Sequence, residues 1–448
     1  MTPGARAEAA IGLLAAIEAG KAPADDLVAE YFRRHRFAGA KDRAAISELI
    51  YGVLRFRASL DWWLAREVPG VEPSARIRVL AALLLIEERS AAQIARDWDG
   101  DRFRPARLDA AERRFAEAAE GKPLADRAMP ASVRGNYPAW LEPALEASLG
   151  RDLAREMAAQ LEPAALDLRV NTIKSEREAV RAALAREGIE AARTKLSPLG
   201  LRLFARVPLG KLDTFRQGHV EVQDEGSQLA SLLVEARPGM RVVDFCAGAG
   251  GKTLALAASM GNRGHLVACD ISARRLERAT ERVRRSGASI VQRRVLSSAH
   301  DPWVKRHAAG FDRVLVDAPC TGTGTWRRNP DAKWRLKPED LAELTALQAD
   351  ILASACRLVR PGGRLIYVTC SLLADENEEQ VARFLAAHAD FGLLPISSVW
   401  GEAVGGTAPT RAEMLRLSPA RHGTDGFFVA VMERAPLATN PPAADDAP

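Results

Sequence analysis

From Gly239 onward the sequence repeats one rhythm: a short apolar run, a turn, then a stretch with helical spacing. The runs are Arg241–Phe245, His265–Cys269, Ile290–Val295, Arg313–Val316 and Arg364–Val368, with helices predicted between them, including Ser272–Ser286 and Leu341–Val359. Alternation of this kind restricts the fold to an α/β class with a doubly wound, mainly parallel sheet. In such sheets ligands bind beyond the carboxyl ends of the strands. The residues standing at those ends therefore decide the chemistry.

The first run closes in Asp244-Phe-Cys-Ala-Gly-Ala-Gly-Gly-Lys-Thr253 and opens a helix. Its glycines allow a tight turn and close approach of backbone to a ligand. A nucleotide-triphosphate loop would need glycine where Cys246 stands, so that reading fails on spacing. The next run ends in Asp270, about 20 residues on, where a carboxylate can accept hydrogen bonds from both ribose hydroxyls. The pair fits a dinucleotide or S-adenosylmethionine. Two later runs end in Asp317-Ala-Pro-Cys320 and in Thr369-Cys370-Ser371. Two strands thus bring two thiols and one carboxylate to one edge of the sheet.

A free cysteine is most often a small buried hydrophobe. Cys269 and Cys356 are read that way, and Cys246 as part of the cofactor turn. Cys320 and Cys370 differ because both follow strand ends, and Cys320 lies close to an acid. One reaction uses a thiolate, a carboxyl group and a methyl donor together: methylation of a pyrimidine at C5. A thiolate adding to C6 makes C5 nucleophilic. A carboxyl group hydrogen-bonded near N3 stabilises the charge arriving there. A base then removes the C5 proton so that the thiol can leave. The target base must be unpaired or flipped out of a helix.

The rest of the chain is organised differently. Residues 6–67 have helical spacing, with Ala10, Leu13, Leu14 and Ile17 on one face and Ile46, Leu49, Ile50, Val53 and Leu54 on another. Ile77–Ile86 is a more apolar, central helix, and this predicts an all-α bundle over residues 1–130. Arg33, Arg34, His35, Arg36, Arg55 and Arg57 give it a basic surface. Gly121–Tyr137, with Pro123, Pro130 and Gly135, reads as a linker. Two short helices, Leu141–Leu149 and Leu153–Leu161, and a small α+β subdomain occupy residues 135–220. Its strands are Leu166–Val170, Leu199–Phe204 and Val220–Val222, and its helix is Ser175–Gly188. The catalytic domain spans residues 221–435, and a disordered tail is expected over 436–448.

Sixty-three basic against 58 acidic residues leave a net charge of +5, compatible with a nucleic-acid partner. Five cysteines without a Cys-x-x-Cys pair argue against a zinc ribbon or a disulfide framework, and point to the cytoplasm and to no bound metal. No apolar run approaches the ~20 residues that cross a bilayer. The apolar Ala9–Ile17 lies between Glu8 and Glu18 and reads as a helix, not a leader.

Several segments together resemble the RNA cytosine-C5 methyltransferases of the Sun/Nop2 type. They are Asp244–Thr253, Asp317-Ala-Pro-Cys-Thr-Gly-Thr-Gly324, Arg328-Asn-Pro-Asp-Ala-Lys-Trp334, Thr369-Cys-Ser371, Glu376-Asn-Glu378 and Asp425-Gly-Phe-Phe428. The N-terminal part is similar to the NusB-type RNA-binding domain of the bacterial 16S ribosomal RNA members, through Lys41-Asp-Arg43 and Glu48–Arg55. The resemblance implies a Rossmann-like S-adenosylmethionine-dependent enzyme acting on RNA, 16S ribosomal RNA above all, as a monomer. It implies that Cys370 is the nucleophile, that Cys320 assists product release and that Asp317 contacts the cytosine near N3. Cys246, Ala247, Gly248, Ala249, Gly250, Gly251 and Lys252 would wrap the cofactor, with Asp270 on the ribose and Asp317 bordering it.

Two departures from the family pattern stand out. The usual loop proline is replaced, giving Ala247-Gly248-Ala249. Leu296-Ser297-Ser298 replaces the acid expected near the adenine, the nearest acid being Asp301. The basic and aromatic run Arg327, Arg328, Lys333, Trp334, Arg335 and Lys337 is expected to contact RNA by phosphate pairing and base stacking. Other readings stay open: the same chemistry on transfer RNA, a DNA enzyme in which Cys320 attacks, and a non-catalytic RNA-binding assembly factor.

Overall fold

The computed structural model describes residues 1–20, 22–205 and 207–436. Beyond Pro436, the tail expected to be disordered lies outside the described residues. The chain forms two compact units. One joins Met1–Pro163 to Thr325–Pro338; the other joins Ala164–Gly324 to the chain from Glu339 onward. Among the described residues no helix is long and apolar enough to cross a membrane.

The first unit is all helical. Its main helices are Pro3–Glu18, Ala24–Arg34, Ala40–Glu67, Ala75–Leu85 and Ala110–Ala119. Two starts close reciprocal capping boxes: Ser90 with Gln93 ahead of the short helix Ala91–Asp97, and Asp109 with Glu112 ahead of Ala110–Ala119. Ala75–Leu85 is buried at every position except Arg76, as a central helix should be. Its buried charge, Arg78, is met by Asp61 and Glu18 at 2.7 Å each, and Arg76 pairs with Glu112 at 2.6 Å.

This unit does not stop near residue 130. Helices Glu142–Leu149 and Leu153–Leu161 belong to it, as far as Pro163. The Pro- and Gly-bearing stretch before them is packed, not a linker. Asn136, at φ 51°, accepts from the Ser59 N–H at 3.1 Å and donates to Ser59 Oγ at 2.8 Å. Leu124 accepts from Trp63 Nε1 at 3.0 Å.

The second unit holds two sheets. The smaller is antiparallel, with β1 (Leu166–Val170), β2 (Ala191–Arg193), β3 (Gly200–Leu203) and β4 (Val220–Val222) in the order β2-β3-β1-β4. Helix Arg177–Arg186 supplies Val180 and Leu184 to its core. The larger sheet has a parallel half: β5 (Arg241–Asp244), β6 (His265–Asp270), β7 (Val291–Val295), β8 (Phe311–Asp317) and β9 (Val359–Thr369). Three further strands, β10 (Phe391–Leu394), β11 (Leu415–Leu417) and β12 (Phe427–Arg434), add antiparallel pairs. The order is β10-β12-β9-β8-β5-β6-β7, with β11 beside β12. The five parallel strands are the five strand segments read in the sequence.

The strand order reverses between β5 and β8, so the carboxyl ends of these neighbours flank a switch point where such sheets bind ligands. Asp244 pairs with Leu315 across β5 and β8, and Asp317 with Val368 across β8 and β9. Three adjacent strands therefore deliver the glycine loop, Asp317 and the Cys370 turn to one place.

Candidate active site

The loop after β5 turns into helix Gly251–Ser259 through Gly250, at φ 80°. A side chain there would be strained, and its Cβ would lie 3.0 Å from Ala279 Cβ. Gly248, at φ 55°, faces open space instead, and its N–H donates to Asp270 Oδ2 at 2.8 Å. Asp270 Oδ1 accepts from the Ser272 N–H at 2.7 Å. Each oxygen keeps a second lone pair, the acceptor set a ribose diol requires. Asp244 is fully buried; one oxygen accepts from Thr253 Oγ1 at 2.6 Å and the other has no partner. An open glycine cradle, an acid at the next strand end and an orphaned buried oxygen fit S-adenosylmethionine.

Burial pushes the Asp244 carboxyl up to about 7, against the pull of the Thr253 hydrogen bond. An unfolded Asp titrates near 3.9, so between about pH 4 and 7 the folded chain holds one proton more than the unfolded. Stability should fall as pH rises across that window. Asp244→Asn is expected to flatten the slope, read as the melting temperature of the two proteins between pH 4.5 and 7.5.

The thiols meet. Cys320 Sγ lies 3.4 Å from Cys370 Sγ, although the residues are 50 positions apart. Backbones pack closely behind them. Gly324 donates its N–H to the Cys370 carbonyl at 2.9 Å and accepts from Gly426 at 2.8 Å. A Cβ on Gly324 would sit 2.5 Å from the Gly426 oxygen and 2.8 Å from the Cys370 oxygen, so only glycine fits. This gives both the Thr-Gly-Thr-Gly and Asp-Gly-Phe-Phe motifs a physical reason. The Cys320 thiol is pushed well up, first by its hydrogen bond to Cys370, then by burial and by the nearby charges of Cys370 and Glu376.

Beside the thiols, Lys252 Nζ donates to Asp317 Oδ2 at 2.7 Å and lies 5.2 Å from the centre of the Phe427 ring. Burial pulls the ammonium down, but Asp317 and Cys370 more than offset it, and Lys252 stays charged. Reading the sequence assigned Lys252 only to the cofactor; its placement also makes it the cation of the thiol pair.

The sequence reading missed other parts. Ile271, beside Asp270, is 68% exposed, an apolar side chain at the rim of the cofactor loop. Glu376 and Asn377, noted only as a motif, are buried among the thiol turns. Asp301, the nearest acid after β7, is held as a helix cap. It accepts from Ser297 N and Oγ at 2.9 Å each and from Trp303 N at 2.8 Å, and these bonds pull it down to about 2.

The expected RNA-contacting run is corrected by the fold. Arg327, Arg328, Lys333, Trp334 and Arg335 belong to the helical unit. Lys333 is 2% exposed and gives its ammonium to the Arg55 carbonyl at 3.0 Å; Trp334 Nε1 donates to the Leu54 carbonyl at 2.5 Å. Arg327 is buried, and its N–H donates to Gln160 Oε1 at 3.0 Å. Arg335 alone of the five is exposed, and it pairs with Asp331 at 3.2 Å. Arg327, Lys333 and Trp334 tie a returning segment to the middle of Ala40–Glu67 and the end of Leu153–Leu161, while Arg335 and Lys337 are exposed. The bundle leaves Arg33, Arg34 and Arg36 exposed.

The switch-point cradle and the paired thiols define an S-adenosylmethionine-dependent methyltransferase. Residues 231–433 match the family model described as 16S rRNA methyltransferase RsmB/F, and residues 137–210 match the RsmF/B-like ferredoxin-like domain. Ribosomal RNA small subunit methyltransferase B of Sodalis glossinidius is 31% identical over 419 residues, spanning 88% of this chain and 90% of that protein. Its counterpart in Xanthomonas campestris is 33% identical over 407 residues, spanning 88% and 90%. The crystal structure of PH0851 superposes with a TM-score of 0.79 at 28% identity, over 97% of this chain and all of that one. The chain belongs to the RsmB/F family of 16S rRNA methyltransferases.

Proposed function

We propose that this chain methylates C5 of a cytosine in 16S ribosomal RNA through a covalent bond between Cys370 and C6 of the base. The observation that carries the reading is the 3.4 Å contact between Cys320 and Cys370, beside the Lys252–Asp317 pair. The lifted Cys320 thiol keeps its proton and donates it as a hydrogen bond, leaving the Cys370 sulfur free to attack. Lys252 supplies positive charge where that sulfur carries negative charge. Asp317, ion-paired and so an acceptor, fits the 4-amino group adjoining N3 of the cytosine. S-adenosylmethionine, when bound between the glycine loop, Asp270 and Ile271, supplies the electrophilic methyl group that the activated C5 takes. Once Cys370 is a thioether, the largest cause lifting Cys320 is gone. Cys320 can then lose its proton to water and, as thiolate, remove the C5 proton; the electron pair expels Cys370.

The NusB-like helical unit carries part of the RNA contact through Arg33 and Arg36. The test uses 16S RNA and small subunits from a strain lacking the gene, with methyl-labelled cofactor and nucleoside analysis. Label in 5-methylcytidine of 16S RNA is expected. Label in transfer RNA, or in another nucleoside, would overturn the reading. In the same system Arg33→Gln with Arg36→Gln should flatten the salt dependence of RNA binding.

A further inference from the structure

Glu376 and Asn377 are consecutive and buried, and apart from the Glu376 charge that helps lift Cys320 they have no role described so far. Their bonds divide cleanly between the two thiols. Glu376 Oε1 accepts from the Thr321 N–H at 2.8 Å, and Oε2 accepts from Thr321 Oγ1 at 2.5 Å. Gln348 Nε2 donates to Glu376 Oε1 at 3.0 Å and to the Pro319 carbonyl at 2.9 Å. Glu376, with Gln348, thus holds both residues flanking Cys320. Asn377 does the same for Cys370: its Oδ1 accepts from Thr369 Oγ1 at 2.5 Å, and its Nδ2 donates to the Ser371 carbonyl at 3.0 Å. The two networks touch again where Thr321 Oγ1 and Thr323 Oγ1 meet Ser371 Oγ, at 3.3 and 3.1 Å.

Neither side chain reaches a thiol, so neither is a catalytic residue. Each buried polar group is nonetheless satisfied by atoms adjoining one sulfur, and hydrogen-bonded networks of this kind rigidify what they hold. A peptide unit joins Glu376 to Asn377, so the two turns share one anchor and cannot drift apart independently. Proton removal and bond formation at the two sulfurs both depend on sub-ångström placement.

We propose that Glu376 and Asn377 are positioning residues that divide the reaction between them. Glu376 sets Cys320 for product release, and Asn377 sets Cys370 for attack. The inference rests on the thiol roles proposed above. Its predicted signature is opposite effects on the covalent protein–RNA adduct, which general loosening of the fold would not produce.

The experiment mixes full-length protein, S-adenosylmethionine and substrate RNA, then measures turnover and the fraction of protein in denaturation-resistant adduct. Glu376→Gln is expected to lower turnover 10- to 100-fold while adduct accumulates. Thr321→Val, which removes one of the same bonds and keeps the side-chain shape, should show a weaker form of that pattern. Asn377→Asp is expected to lower turnover comparably with adduct below wild type, because attack itself slows. Calorimetric binding of S-adenosylmethionine should stay unchanged in all three, which establishes that they fold. The same adduct fraction in the Glu376 and Asn377 variants, or loss of cofactor binding with turnover in both, would overturn the division of roles. A persistent adduct in Cys370→Ala would instead sink the thiol assignment beneath it, so the two failures are distinguishable.

Discussion

Cys370→Ala is expected to abolish both turnover and covalent adduct, whereas Cys320→Ala should trap protein on RNA as an adduct that survives denaturation. The asymmetry follows from the geometry of the pair. The sulfurs lie 3.4 Å apart, so whichever attacks C6 leaves the other next to the reacting ring. Cys370 stands at the end of β9, and the lifted thiol is Cys320. In the proposed mechanism, removing Cys370 removes the nucleophile and leaves nothing to form the adduct. Removing Cys320 would leave attack possible, and even relieve a hydrogen bond on the attacking sulfur, but would take away the group proposed to accept the C5 proton. Loss of a general base costs about 10²- to 10⁴-fold, so a slow residual turnover through water is expected. Gel mobility of protein with radiolabelled RNA after denaturation reads both results. Adduct in Cys370→Ala and none in Cys320→Ala would reverse the assignment, as in a DNA-type enzyme that attacks from its Pro-Cys turn.

Lys252→Met should lower turnover by about 10²- to 10³-fold, the usual cost of deleting one charge donor aimed at the reacting atoms. The methionine stem retains much of the packing on Phe427. The ammonium that Asp317 and Cys370 share is lost. Asp317 keeps a side-chain exposure of 32%, so water can solvate the carboxylate left behind and the stability cost is modest. The discriminating measurement is alkylation of Cys370 by iodoacetamide near pH 7.5 in a Cys320→Ser background, which should slow when Lys252 is replaced. Equal alkylation rates with full turnover would show that Lys252 serves only to fill space.

The part of the fold that was legible is the part in which local pattern and final environment agree. Four of the five parallel strands, β5, β6, β8 and β9, are mostly buried and read as apolar runs bounded by turns, whereas β7 at the end of the parallel half is exposed. Their functional ends were readable because glycine, acid and thiol stand directly after those runs. β12 is as apolar as they are, but its antiparallel place between β9 and β10 depends on partners far away in sequence. The bundle's extent was hidden for a related reason. Gly121–Tyr137 has a linker's composition, and long-range contacts such as Asn136 with Ser59 and Leu124 with Trp63 reveal it as packed. Lys333 and Trp334 have the composition of an RNA surface. Charge in a sequence does not say whether water or a carbonyl 278 residues away will satisfy it. Asp317 and the thiols could be named in advance; the contact between the sulfurs, the Lys252 ammonium and the Glu376–Asn377 anchor required three-dimensional proximity.

The return of Thr325–Pro338 to the helical unit has a consequence for how the protein is made. Helices up to Pro163 leave the ribosome early, yet the pieces that satisfy Leu54, Arg55 and Gln160 arrive only with Arg327, Lys333 and Trp334. Pro338 follows Pro163 by 175 residues, which at ordinary translation rates is a delay on the order of 10–35 s. During that interval the bundle exists with a vacancy in its surface, and the nascent chain must traverse β1 to β8 before filling it. The N-terminal unit, although first to be synthesised, is therefore completed only after half of the catalytic sheet, β5 to β8, has been made.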